Sequence, residues 1–72
     1  MTLEIDEPLW LYAHGDTERI EVYRSPLVRD DDPSHVVIRE FIAEHGLSLA
    51  ACEVVPDTTM MFGRAEASVW VR

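Results

Sequence analysis

The side chains able to do chemistry are few: His14, His35, His45, a single Cys52 and an acidic triplet, Asp30, Asp31 and Asp32. No two histidines stand four apart, and neither an HExxH motif nor a Cys-Cys spacing occurs, so the common zinc patterns are missing. The triplet lacks the glycine and the distal glutamate of a calcium loop. Three glycines in the whole chain make no phosphate-cradling loop. Cys52 lies in an apolar run and reads as a small core side chain; no spacing brings a histidine to it as a base. His45 suits the last turn of a helix, where a cation favours the dipole. The expectation is a protein that is not an enzyme, with no catalytic residue, no metal and no cofactor.

Two other groups of side chains could instead do recognition. The aromatics Trp10, Tyr12, Tyr23, Phe62 and Trp70, with Met60, are of the types enriched where proteins bind proteins. The carboxylates Glu4 with Asp6, Asp16 with Glu18, and the 30–32 triplet stand at short spacings. Two residues apart on a strand is roughly 6.6 Å, comparable with neighbouring phosphates of a nucleic acid.

Charge decides what such groups could meet. Fourteen acidic residues stand against six arginines, a formal net charge of −8 on 72 residues. Such a surface repels nucleic acid and anionic membrane and attracts basic protein surfaces. Acidity also serves solubility or life in high salt. Lys, Asn and Gln are absent, which fits a GC-rich genome better than any chemistry. One cysteine excludes an internal disulfide. The opening MTLEIDEP has neither the basic nor the apolar region of a signal peptide, and no apolar run approaches the ~20 residues of a membrane span. A cytoplasmic protein is expected.

The elements that must position these residues follow from periodicity. From Leu3 to Ala13 the odd positions are apolar except Glu7, which is strand alternation; Pro8 interrupts it, because proline donates nothing to a ladder. WLYAHGDTERIEVYR, residues 10–24, reads as a hairpin. A loop at Gly15-Asp16 sets Leu11 opposite Ile20, Leu9 opposite Val22, Tyr12 opposite Arg19 and Trp10 opposite Glu21, and puts Tyr12 near Arg19 for a cation–π contact. A four-residue loop, GDTE, shifts the pairing and keeps the faces. Asp32-Pro33 opens a helix and Gly46 ends it, with Val37, Ile38, Phe41, Ile42 and His45 on its apolar stripe. LSLAACEVV is a strand, Pro56-Asp57 a turn, and TMMFGRAEASVWVR alternates throughout; a helix over TMMFGRAEA is the competing reading.

The whole chain, 1–72, is therefore expected to be one small α+β domain of order ββαββ: a two-layer arrangement, an antiparallel sheet with one helix packed on one face. A chain this short buries only about 60% of its unfolded surface, so the core is thin. The small residues Gly63, Ala65 and Ala67, with Ala50 and Cys52, are expected beneath the helix, alongside Leu9, Leu11, Ile20, Val22, Val69 and Val71. Trp10, Tyr12, Tyr23, Met60, Phe62 and Trp70 then share the uncovered face, with Arg19, Glu21, Arg64, Glu66 and Arg72 around them.

Two functions are compatible with this arrangement. The first is an acidic module that docks on a basic, nucleic-acid-binding surface of a partner protein as an inhibitor or modulator, the carboxylates standing where phosphates would lie. Phage-encoded inhibitors such as anti-CRISPRs include small acidic α+β chains, an analogy of class that no motif here carries. The alternative is a small structural subunit or homodimer that buries the aromatic face.

Overall fold

The computed structural model describes residues 1–8, 10–56 and 64–72, the side chain of Arg64 excepted. The strands are β1 (Thr2–Glu7), β2 (Leu11–Asp16), β3 (Arg19–Arg24), β4 (Ser48–Pro56) and β5 (Arg64–Val71), with one helix, α1 (Pro33–His45), between β3 and β4. They form one antiparallel sheet in the order β1-β2-β3-β5-β4. The expected α+β two-layer arrangement, an antiparallel sheet with a single helix on one face, holds, with three strands rather than two before the helix. The leading alternation folds back on itself around Pro8, which makes the sheet five-stranded.

Local chemistry sets each corner. At the first, the Trp10 N–H donates to the Glu7 carbonyl (3.0 Å) and the Ser25 N–H to the Trp10 carbonyl (2.7 Å). At the second, Asp16 Oδ1 accepts from the backbone N–H groups of Glu18 (2.8 Å) and Arg19 (3.2 Å), closing a tight turn at Thr17-Glu18. The register therefore differs from both loops expected for this hairpin: Leu11 faces Arg24, Tyr12 faces Tyr23, Ala13 faces Val22, His14 faces Glu21 and Gly15 faces Ile20. The alternation is conserved, so the faces are unchanged. Gly15 does take a positive φ (149°), but inside the ladder rather than at the turn tip.

The helix begins and ends where its capping residues direct. Asp32 Oδ1 accepts from the N–H groups of Ser34 (2.9 Å) and His35 (3.4 Å), Pro33 occupies the first turn, and Gly46 is left-handed (φ 64°) with its N–H turned back to the last carbonyls. Ile38 and Phe41 are the helix's buried residues. They close over Leu3, Leu11, Ala13, Ile20 and Val22, with Leu47 at the start of the return. Each such side chain, fully buried, stabilises by about 1.5–3 kcal/mol. Val37, expected in the stripe, is 48% exposed.

Glu7 breaks the apolar pattern of β1 for a reason. It lies on the helix side of the sheet, and the Ser34 hydroxyl in the first turn of α1 donates to its carboxylate. One hydrogen bond thus ties the end of β1 to the start of the helix.

The face of β5 is the main departure from expectation. Trp70 pairs with Ile20, Ser68 with Val22 and Glu66 with Arg24, so the even positions share the helix side. Ala67, Val69 and Val71 lie on the other face and are half-buried; Ala65 has the same parity but is buried (1% exposed), as expected of it. Cys52 pairs with Ser68 and is exposed rather than buried. Ala50 falls in the register shift between Leu49 and Ala51. Leu9, Met61, Gly63, the turn residue Asp57 and most of TMMFGRAEA lie outside the described residues; Arg64, Ala65, Glu66 and Ala67 are strand.

The two positive-φ glycines should respond differently to substitution. In Gly15→Ala the new Cβ would stand 2.1 Å from the Arg19 carbonyl oxygen, whereas at Gly46 nothing lies within 4 Å. Urea unfolding should show Gly46→Ala costing about 1 kcal/mol, the left-handed penalty alone, and Gly15→Ala costing roughly 3 kcal/mol or unfolding the chain.

Candidate functional site

The uncovered face of the sheet is built from alternating residues of all five strands. One row crosses it as Asp6, Tyr12, Tyr23, Ala67 and Glu53. The next runs Glu4, His14, Glu21, Val69 and Ala51. At ~4.8 Å per strand the terminal carboxylates of the first row stand roughly 19 Å apart. Between them lies an apolar strip, the half-buried Tyr12 and Tyr23 continuing into Ala67 with Val69 and Val71 below.

The electrostatics of this face are set by which carboxylates are already engaged. Glu21 pairs with Arg19 at 3.0 Å. Glu4, Asp6 and Glu53 have no cationic partner among the described residues, so their charge is directed outward. Arg19 faces Val71 and binds Glu21, and the Tyr12–Arg19 contact expected from the shorter loop gives way to the Tyr12–Tyr23 pair.

The other acidic residues singled out by spacing have structural work. Asp16 holds the β2–β3 turn, and those two backbone donors, Glu18 first, lower its carboxyl from the ordinary 3.8. Glu18 binds Arg72 (3.2 Å), and the Arg72 N–H reaches the Glu18 carbonyl (3.0 Å), clamping the chain's end to the hairpin. In the triplet, Asp32 caps the helix, Asp30 pairs with Arg24 (3.3 Å) and Asp31 with Arg29 (3.2 Å). Three adjacent carboxylates thus do three jobs.

The aromatic group divides as well. Tyr12 and Tyr23 are on the open face. Trp70 is on the helix side, where it packs against the core and donates its indole N–H to Ser68 Oγ (3.0 Å). Trp10, 37% exposed, lies at the β1–β2 corner beside Leu27, Val28 and Pro33. Met60 and Phe62 fall outside the described residues. Ser68 stands two before Trp70, which puts a hydroxyl on the indole's own face; Arg24 and Glu66 similarly form an opposite-charge pair (3.5 Å) across β3–β5. Both contacts accompany the facing of β5, and neither follows from spacing along the strand alone.

On the helix side a groove of about 260 Å³ runs between α1 and β5, floored by Val22, Ile38, Ile42 and Trp70. Arg24 is its hub. Its guanidinium donates to Asp30 and to His35 Nε2 (3.1 Å) and reaches Glu66. A guanidinium has no acceptor, so in this contact His35 Nε2 is the accepting atom. His45 packs against Phe41 with the rings tilted by 57° and their centroids 4.4 Å apart. Among the described residues no three His, Cys, Asp or Glu side chains stand close enough to hold a metal ion, and no described helix is long and apolar enough to cross a membrane.

Trp70→Ala should destabilise by roughly 2–3 kcal/mol in urea unfolding, somewhat less than a fully buried aromatic. Tyr12→Ala and Tyr23→Ala should each cost less than about 1 kcal/mol, the worth of a cross-strand pair. The Asp16 shift adds a pH signature. A folded-state pKa below the unfolded one contributes stability that is present above the ordinary Asp range and lost as pH falls through the lowered value. Asp16→Asn should therefore flatten the acid limb of a stability–pH profile and leave the neutral limb parallel to wild type.

No match is found among curated proteins or solved structures. A family described as Gene product 70 matches residues 4–72, which takes in the helix and the whole sheet but for the first two residues of β1. The chain belongs to the Gene product 70 family.

Proposed function

We propose that this chain is an acidic protein-binding module whose open sheet face docks on a basic surface of a partner protein, acting as an inhibitor or modulator. The observation that carries the reading is the row Asp6–Tyr12–Tyr23–Ala67–Glu53: two tyrosines and an apolar strip between carboxylates that have no cation of their own among the described residues. Tyrosine supplies contact area with a polar tip at small conformational cost, and unpaired carboxylates supply steering toward a positive surface. With Glu4 beside Asp6 in the next row, the face resembles a short run of phosphates more than an ordinary solvated strand. A partner that handles nucleic acid is the class such a surface fits, with nucleic acid as the competitor.

The direct test is a salt series on a captured complex. The chain, immobilised, is exposed to purified nucleic-acid-binding proteins with basic surfaces, with free DNA or RNA as competitor. Retention should fall steeply as salt is raised, fall again when nucleic acid is added, and drop at least tenfold in Tyr12→Ala/Tyr23→Ala and in Glu4→Gln/Asp6→Asn/Glu53→Gln. Retention indifferent to both sets of substitutions would dismiss the open face as the docking surface.

A further inference from the structure

We infer that the groove between α1 and β5 is a binding site for a small aromatic carboxylate. Its walls follow from two periodicities. His35, Ile38, Arg39 and Ile42 stand at i, i+3, i+4 and i+7 and so form one stripe of the helix. Glu66, Ser68 and Trp70 alternate along β5, opposite Arg24, Val22 and Ile20 of β3. Arg24, His35 and Glu66 gather at one place. Ile42 lies about two turns along the helix from them, and Trp70, half-buried, further along the strand. At about 260 Å³ the groove is below the ~300–1,000 Å³ of sites for drug-sized ligands, which limits the occupant to a small molecule.

Charge and hydrogen-bond donors select the chemistry. Fourteen acidic residues outnumber six arginines in the chain. Arg19, Arg24, Arg29 and Arg72 each have a carboxylate partner, yet Arg39, at the groove, has none among the described residues. Its neighbours one turn away on the helix, His35, Val36, Ile42 and Ala43, include no acid. Ser68 adds a second donor. It is 9% exposed, its oxygen accepts the Trp70 indole N–H, and its own proton has no acceptor among the described residues. Glu66 is the one carboxylate among the described lining residues, and Arg24 already holds it at 3.5 Å. A cation would face two guanidiniums, and a neutral apolar molecule would leave the donors unmet. An anion with an aromatic body satisfies both the donors and the apolar surface of Ile38, Ile42 and Trp70.

The test is an NMR titration of the folded chain with 3-phenylpropionate, and with 3-phenylpropionamide as its uncharged isostere. Saturable amide shifts are expected in the segments 35–42 and 66–70 and not at Tyr12 and Tyr23, so the result is independent of docking on the open face. The amide should bind at least about tenfold more weakly, the loss of a charge-assisted hydrogen bond. Arg39→Gln should weaken the acid by a similar factor, and Glu66→Gln should strengthen it. Both residues are exposed, and circular dichroism should show the fold unchanged. Ile42→Trp, which fills the groove, should abolish the shifts. Equal binding of acid and amide, indifference to Arg39→Gln, or no saturable shift up to the solubility limit of the acid would overturn the inference.

Discussion

One helix cannot cover five strands, and most of this molecule follows from that mismatch. A helix with its side chains is about 10–12 Å across, while five strands at ~4.8 Å span roughly 19 Å between the outer two. Here α1 packs over the β1–β3 half, where Leu3, Leu11, Ala13, Ile20 and Val22 form the floor beneath Ile38 and Phe41. The β5–β4 half extends past its margin. Three surfaces result: a core on one side of the sheet, an apolar ledge at β4, and a second face that no described helix covers.

The margin of the helix is where polar chemistry takes over from burial. Arg24 stands at this boundary and gathers Asp30, His35 and Glu66, joining the loop, the helix and β5 through one guanidinium. Trp70 and Ser68 fill the space next to it. Five of the carboxylates are similarly absorbed: Asp16 in a turn, Asp32 in a cap, Glu7 on Ser34, Glu18 on Arg72 and Asp31 on Arg29. An excess of acid over arginine remains, and part of it, Glu4, Asp6 and Glu53, lies on the uncovered face. The acidity of the chain is therefore of two kinds, one structural and local, the other directed at solvent or a partner.

Membership of the Gene product 70 family places nearly the whole chain within one recognised sequence pattern. The functional reading rests on the surfaces instead. Tyr12 and Tyr23, in one row with Asp6 and Glu53, are the residues on which that reading stands.

Local chemistry was sufficient for much of this. The helix from Asp32 to Gly46 was legible because its cap, its proline and its glycine each act within one turn of chain. The existence of the hairpin, the faces of β2 and β3, and the α+β class were legible because alternation has a period of two whatever the register. The facing of β5 was not. Alternation divides a strand into two sides and leaves open which side meets the helix; the apolar side, Ala65 to Val71, was the natural choice, yet β5 lies at the helix's edge, where Glu66 finds Arg24 and Trp70 finds both Ile20 and Ser68. Hence Trp70 leaves the candidate site and Cys52 leaves the core. Glu53 enters the site for a similar reason, since only the order β3-β5-β4 brings it into line with the tyrosines. Strand order, and how far one helix reaches across it, are properties of the packed chain, decided by contacts between residues far apart in sequence.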